Sequence, residues 1–218
     1  MAGYIVIDIA TAPLEGAVAF LPPVKAPKTY KDAEKIAAYE AEARAEQLES
    51  IACDVDLCQI SGVGWQCIDG AGELGGIGVI TREDHSEYAI LHHLSALADR
   101  RRVVTFNGAT FDLPIIHRRA LDLHYELCPV LNKPYEAPWK SENIDVFAEL
   151  TNNGRAGKGK SLQFYAKRYG LAKGLTKTLS GAEESQVLQT QKWAELRESL
   201  THDVAALTDL ALFARVFR

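Results

Sequence analysis

The chain has 218 residues, of which 47% are hydrophobic and 24% are charged, and its formal net charge is −5. This length supports one sizeable globular domain with its own core, and no apolar run approaches the roughly 20 residues of a membrane-spanning helix. The negative charge argues against a protein that coats nucleic acid non-specifically, although it permits local contacts with a few phosphates.

The first half of the chain predicts a strand, a long helix and a hairpin. Residues 3–9 are a continuous apolar run, which is typical of a strand buried on both faces. After a proline-rich connection, residues 30–52 are rich in Ala, Glu and Lys and predict a helix. Residues 57–69 and 72–82 predict a β-hairpin, because they flank an Asp-Gly-Ala-Gly turn.

The rest of the chain is predicted to be mostly helical. Residues 85–100 predict an amphipathic helix, and residues 101–107 predict a short strand. Further helical patterns lie at 110–123, 142–151, 160–170 and 183–217. The last of these is predicted to break near Ser199. This order predicts one α/β domain over residues 1–218, with a mixed sheet flanked by helices and a helical insertion at about residues 28–54.

The cysteines and the first residues of the chain suggest a reducing compartment. Cys53, Cys58, Cys67 and Cys128 show no C-x-x-C spacing, so reduced thiols are expected rather than a zinc site. The first residues lack the basic region and apolar stretch of a signal peptide. We therefore expect a cytoplasmic protein without membrane contact.

Three carboxylates lie at the end of a predicted strand or within a predicted helix. Asp8 ends the first strand, Asp112 begins a helix after the strand at 101–107, and Asp203 lies in the last helix. Such positions can converge at one edge of a sheet. Carboxylates that converge repel one another unless cations neutralise them, and hard oxygen ligands favour Mg²⁺ or Mn²⁺. Each acid could instead be a cap or a solvated position.

The segments around these acids resemble the motifs of the DEDD-type 3′→5′ exonucleases, which have an RNase-H-like fold. The first family motif, an apolar strand that ends Asp-x-Glu-Thr, reads VIDIAT here, with Asp8 and Thr11 matched. The second motif, FNGxxFDLP, is intact as FNGATFDLP over residues 106–114. The third motif, an Asp in an xxDVxxL helix, matches THDVAAL and indicates Asp203.

Other segments resemble a particular branch of that family. ENIDVFAEL and KSLQFYAKRYGL are similar to segments of stand-alone relatives of the family-B DNA polymerase proofreading domain. The predicted insertion resembles that of bacterial and phage members. The resemblance therefore implies an RNase-H-like α/β fold and a soluble protein of bacterial or phage type.

The resemblance also implies roles for individual residues. Asp8 would bridge two Mg²⁺ or Mn²⁺ ions, Asp203 would complete one ion, and Asp112 would hold the other. The implied activity is metal-dependent release of nucleoside monophosphates from nucleic-acid 3′ ends, with single-stranded DNA favoured over RNA as the partner. The residues implied to contact the terminal nucleotide are Thr11, Leu14, Asn107, Gly108 and Phe111. Phe111 could also be a core aromatic residue.

The chain departs from the family pattern at two places. The family glutamate two residues after Asp8 is Ala10 here, and alanine offers no oxygen to a metal. The general base is also missing, because Ser199 stands four residues before Asp203, where one subtype has tyrosine. Glu198 stands five residues before Asp203, where the other subtype has histidine, and His202 is out of register with either subtype; both are candidates for that base.

Two interpretations of Ala10 are open. It could be an engineered substitution that removes one metal ligand, which the intact surrounding motifs favour. It could also be the natural residue of a non-catalytic protein that only binds nucleic acid, which Ser199 keeps open. Under either interpretation, we expect weak or no nuclease activity from this chain.

The segment 154–161, GRAGKGKS, matches the phosphate-loop pattern G-x-x-x-x-G-K-[ST]. That pattern requires an apolar strand immediately before it, whereas the preceding residues predict a helix and a turn. We therefore favour a basic loop in which Lys158 and Lys160 contact the substrate backbone, with a solvated surface loop as the alternative.

Overall fold

A five-stranded sheet lies at the centre of the described structure. The computed structural model describes residues 3–132, 143–155, 158–171 and 177–217. Its strands are β1 (Tyr4–Pro13), β2 (Cys58–Ile68), β3 (Leu74–Thr81), β4 (Arg102–Thr105) and β5 (Ile144–Asp145). The strand order is β3-β2-β1-β4-β5, and β1 pairs antiparallel with β2 and parallel with β4. The predicted mixed sheet flanked by helices is confirmed.

The described residues contain eight α-helices. They are α1 (Ala33–Ser50), α2 (Glu87–Ala98), α3 (Asp112–Asp122), α4 (Val146–Thr151), α5 (Leu162–Tyr169), α6 (Gly181–Ser185), α7 (Val187–Thr190) and α8 (Trp193–Phe213). Helices α2 and α3 pack on one face, whereas α5 and α8 pack on the other. None of the described helices combines the length and the apolar character needed to cross a membrane.

Strand β1 is the central strand, and its side chains alternate between two cores. Ile5, Ile7 and Ile9 belong to the core formed with α2 and α3. Val6 belongs to the core formed with α5 and α8. Because successive side chains of a strand point to opposite faces, Asp8 faces the same side as Val6. The continuous apolar sequence is thus explained by burial on both faces.

Two glycines of β2 let α8 approach the sheet closely beside Asp8. Gly64 is the cross-strand partner of Asp8, and Gly62 is that of Ala10. A Cβ atom at Gly64 would lie 2.9 Å from Val204 Cγ2 and 3.2 Å from the carbonyl oxygen of Leu200, both in α8. The absence of side chains here therefore sets how near the last helix lies to the central strands.

Two features of the secondary structure differ from the sequence-based predictions. The predicted break near Ser199 is wrong, because α8 is continuous from Trp193 to Phe213 and the interruption lies around Gln191, which has a left-handed backbone. The start of the helix predicted at 142–151 is also wrong, because Ile144 and Asp145 form strand β5. Two residues are too few to produce an alternating sequence pattern.

A buried ion pair joins α2, α3 and β2 on the face opposite α8. Glu87 accepts hydrogen bonds from Arg119 Nε and Nη2, both at 2.9 Å, and from the backbone N–H of Ile60 at 2.7 Å. The side chains of Glu87 and Arg119 are only 5% and 6% exposed. This pair satisfies its own charges, so it is a structural element of that core rather than a site.

Candidate active site

The three predicted carboxylates converge at one end of β1. Asp112 is the first residue of α3, and its Oδ1 accepts a hydrogen bond of 3.3 Å from the backbone N–H of Ile9, the residue after Asp8. Asp203 projects from α8, which packs across β1 and β2. Asp8 keeps some access to solvent, whereas Asp112 and Asp203 are 3% and 4% exposed. The structure therefore brings these acids together from three separate elements.

Burial and nearby negative charge disfavour the ionised forms of Asp8 and Asp112. Burial raises the pKa of Asp8 well above its usual range, and the negative charges of Asp203 and Asp112 raise it further. Burial also raises the pKa of Asp112 to about 7, although backbone N–H donors, including that of Ile9, oppose this effect. Such groups favour either a bound proton or a nearby cation.

This arrangement predicts that the metal-free protein loses stability as the pH rises from about 4 to 7. The folded state retains the proton of Asp112 up to about pH 7, whereas an unfolded aspartate loses it near pH 4. The folded state thus binds more protons in this window, and its free energy of unfolding falls with rising pH. Urea unfolding in EDTA at pH 5 and pH 7.5 measures the effect. The loss should be smaller in Asp112→Asn, and an equal loss in both proteins would contradict the prediction.

Lys177 and Glu184 also belong to this site, although sequence reasoning did not identify them. Lys177 Nζ lies 3.0 Å from Glu184 Oε1 and also contacts Asp203 Oδ2. Burial opposes the charge of Lys177, but the carboxylates of Asp203 and Glu184 raise its pKa above the usual range. Burial raises the pKa of Glu184, and Lys177 opposes that shift. The ammonium group of Lys177 therefore lies between the carboxylates of Glu184 and Asp203, as a metal ion would.

Both oxygens of Asp203 have partners. Oδ1 accepts a hydrogen bond of 3.0 Å from Gln163 Nε2 and lies 3.1 Å from Nδ1 of His202, while Oδ2 contacts Lys177. His202, a candidate base, is thus held against the carboxylate of its sequence neighbour. Within the described ranges, no group of three or more His, Cys, Asp or Glu side chains is arranged to enclose a metal ion.

The surroundings of Ala10 are apolar. Ala10 is 2% exposed and packs in a cluster with Leu179, Val187, Trp193, Leu196 and Leu200. These residues come from the segment before α6, from α7 and from α8. The position of the family glutamate is therefore covered by the segment that also carries Glu184.

The other candidates for the base lie outside the carboxylate group. Ser199 is fully buried, and its Oγ accepts a 2.9 Å hydrogen bond from the backbone N–H of Leu179 and lies 3.2 Å from Thr178 Oγ1. These contacts anchor the segment at 178–179 to α8. Glu198 is exposed on the surface of the same helix.

The turn between β4 and α3 is held by Asp145, which sequence reasoning missed. Asp145 Oδ1 accepts the backbone N–H of Asn107 at 2.8 Å, and Oδ2 accepts that of Ala109 at 3.2 Å. Asn107 has a left-handed φ of 62°, and a Cβ at Gly108 would lie 2.3 Å from the Thr105 side chain. The FNG sequence is therefore required by a tight turn that leads directly into Asp112.

The residues predicted to contact the substrate differ in burial and in their hydrogen bonds within the fold. The Thr11 hydroxyl donates a 2.6 Å hydrogen bond to the carbonyl oxygen of Ala52, so this group is already engaged within the fold. Leu14 is half-buried. Phe111 is half-buried and packs against the core of α2 and α3, as its alternative role required. Asn107 Oδ1 accepts a 2.9 Å hydrogen bond from Thr110 Oγ1.

The basic loop at 154–161 leads into the helix that reaches Asp203. Lys158 and Lys160 are exposed, and Ser161 caps α5, two residues before Gln163. The segment before the loop is helix α4, which ends at Thr151, and not the strand that a phosphate loop requires. The segment therefore lacks the strand–loop–helix arrangement of a phosphate loop. Residues 156 and 157 lie outside the described residues.

Comparison with known proteins gives a family and a set of similar structures, including the following two. Residues 71–203 match the sequence model of the RNase_H superfamily. The chain is similar in structure to the family B DNA polymerase from the hyperthermophilic archaeon Pyrobaculum calidifontis, with a TM-score of 0.61 and 13% identity, over 98% of this chain and 24% of the polymerase. It also matches E. coli Exonuclease I in complex with a dT13 oligonucleotide, with a TM-score of 0.44 and 12% identity, over 99% of this chain and 41% of the exonuclease.

The first of these likenesses shows a shared fold. The chain spans about a quarter of the length of the polymerase and about two fifths of that of Exonuclease I. No curated protein sequence matches the chain.

Proposed function

Because the chain belongs to the RNase_H superfamily, we propose that it is a metal-dependent nuclease that removes nucleotides from the 3′ end of a nucleic acid. The observation that carries this proposal is the convergence of Asp8, Asp112 and Asp203 from β1, α3 and α8. The proposed products are nucleoside monophosphates, and the proposed substrate is single-stranded DNA in preference to RNA.

The chemistry of the side chains suits a hard divalent cation, although no three of the described carboxylates are arranged around a common point in the structure. Asp8, Asp112, Asp203 and Glu184 offer oxygen ligands, and among the described groups that shift the pKa of Asp8, Lys177 supplies the only positive charge. One ammonium group does not neutralise four carboxylates. We propose that Asp8 and Asp203 hold one Mg²⁺ or Mn²⁺ ion and that Asp8 and Asp112 hold a second. When bound, such ions activate water and stabilise the charge that develops on a phosphodiester.

The chain's own residues would bind and orient the 3′ end around these acids. Exposed Lys158 and Lys160 would attract the phosphate backbone, and Phe111 and Leu14 would contact the terminal base. His202 would orient Asp203 through the contact at Oδ1. Because Ser199 is buried and occupied by Thr178 and Leu179, we do not assign it the role of base. The absence of a carboxylate at Ala10 leads us to propose a slow enzyme.

A protein that binds nucleic acid without cleaving it is the second candidate. Two observations favour it: Ala10 lies in an apolar cluster, and Lys177 already occupies the space between Asp203 and Glu184. Such a protein would retain the basic loop and the fold but would not shorten its ligand. The presence or absence of metal-dependent product separates the two candidates.

The test is a nuclease assay on 5′-labelled single-stranded DNA and RNA with Mg²⁺, Mn²⁺ or EDTA, using this chain and Ala10→Glu. We expect a ladder of DNA shortened from its 3′ end with metal and none in EDTA. Ala10→Glu returns a ligand to the face of β1 that carries Asp8, and it should be faster by about tenfold or more if the apolar cluster around position 10 opens to admit the side chain. Circular dichroism would verify that both chains fold. Binding without shortening by either chain would favour the binding-only protein.

A further inference from the structure

We propose, resting on the function above, that Glu184 supplies the metal-binding carboxylate that the chain lacks at position 10, and that Lys177 holds it beside Asp203 until a metal ion binds. Glu184 lies 176 residues after Asp8 in the sequence, on helix α6, and not on the first strand. The ligand would therefore have moved from one element of the fold to another.

The contacts of Lys177 place Glu184 within reach of the predicted metal ligands. One nitrogen atom, Lys177 Nζ, lies 3.0 Å from Glu184 Oε1 and also contacts Asp203 Oδ2. The side chains of Glu184 and Asp203 are 15% and 6% exposed. Two carboxylates that contact the same nitrogen atom are close enough to bind the same cation, with small side-chain movements.

The packing around Ala10 explains how a carboxylate on α6 reaches this place. Leu179, five residues before Glu184, and Val187, three residues after it, both pack in the cluster that contains Ala10. Helix α6 itself contacts β1. The segment at 179–187 therefore lies over position 10 and places Glu184 on the side of β1 where Lys177 and Asp203 lie.

The charges favour replacement of Lys177 by a divalent ion. An ammonium group carries a single charge and donates hydrogen bonds, whereas Mg²⁺ or Mn²⁺ carries two charges and accepts several oxygen ligands. In the metal-free protein, Lys177 limits the repulsion between Asp203 and Glu184. Metal binding would release Lys177 from these carboxylates.

The alternative is a purely structural ion pair that ties the segment at 177–184 to α8. The two roles predict different results for Glu184→Gln. Loss of a structural pair lowers the melting temperature and leaves the metal affinity unchanged. Loss of a ligand lowers the metal affinity.

The experiment is a titration of the full chain with Mn²⁺. Binding is measured by calorimetry and, independently, by the electron paramagnetic resonance signal of free Mn²⁺. Glu184→Gln should bind Mn²⁺ at least about tenfold more weakly. The matched control is Glu183→Gln, since Glu183 is 50% exposed and its contact with the Ser180 N–H can be kept by an amide oxygen. Its affinity should equal that of the unchanged chain.

Lys177→Met provides a second, independent variant. It should bind Mn²⁺ more tightly than the unchanged chain, because no ammonium competes for Asp203 and Glu184. Its melting temperature in EDTA should fall, because two carboxylates lose their counter-ion, and saturating Mn²⁺ should restore it. Weaker Mn²⁺ binding by Lys177→Met would overturn the proposed role of this lysine.

The outcomes separate this inference from the proposed function. If the unchanged chain binds Mn²⁺ and Glu184→Gln binds it equally well, the role of Glu184 is overturned while the proposed function stands. If the unchanged chain binds no Mn²⁺, the proposed function fails, and this inference fails with it.

Discussion

Asp8→Asn is expected to abolish metal-dependent hydrolysis and, at the same time, to raise the melting temperature of the metal-free protein. Asp8 is the proposed ligand of both ions, so its loss should reduce the rate of 3′ shortening by about 100-fold or more. The effect on stability has the opposite sign, because burial and the charges of Asp203 and Asp112 disfavour the ionised Asp8. A neutral amide of the same shape removes that repulsion.

The two effects are measured on the same protein preparations. The rate is followed on 5′-labelled DNA in Mn²⁺, and the melting temperature is followed in EDTA at pH 7.5. Asp84→Asn is a suitable control, because Asp84 is a 66% exposed carboxylate that pairs with Arg197 at the surface, and neither quantity should change much. An active Asp8→Asn protein would contradict the proposed metal site. A lower melting temperature in EDTA would contradict the electrostatic account.

Glu87→Ala is expected to destabilise the protein by about 3 to 5 kcal/mol. The substitution leaves the buried guanidinium of Arg119 without its principal partner and the backbone N–H of Ile60 without an acceptor. For a chain of this size, the loss corresponds to a fall in melting temperature of about 10 °C. Thermal unfolding followed by circular dichroism measures it.

Asp122→Ala is the matched control for Glu87→Ala. Asp122 also contacts Arg119, at 2.6 Å, but its side chain is 43% exposed. Water can therefore replace it, and the cost should be about 1 kcal/mol or less. Equal losses for the two variants would show that burial does not decide the strength of this network.

Sequence reasoning located the acids that come from regular elements with strong local signals. Asp8 lies near the end of an apolar strand. Asp112 begins a helix after a tight turn, in which Asn107 has a left-handed backbone and Gly108 has no room for a side chain. Asp203 was identified through its motif. In each case a short stretch of sequence defines both the element and the position of the acid within it. The mixed sheet was predictable for the same reason, because β1 and the β2–β3 hairpin have long, distinctive patterns.

Sequence reasoning missed the residues whose role depends on packing between distant segments. Lys177 and Glu184 meet Asp203 only because the segment at 177–184 folds over β1 and α8. Nothing in the local sequence distinguishes Glu184 from exposed Glu183 beside it. Asp145 was missed because its strand has only two residues and its partners lie in a turn 36 to 38 residues away.

The close approach of α8 to β2 at Gly64 has a consequence for how the site could be tuned. Any side chain at residue 64 would act as a spacer between the sheet and the helix, since its Cβ would meet Val204 and Leu200. Val204 is the residue after Asp203, so a spacer there would lift that carboxylate away from Asp8 without altering a charged group. The uncharged residue 64 on a neighbouring strand thus sets the distance between Asp203 and Asp8. Substitutions there would weaken the proposed metal site without removing any of its acids.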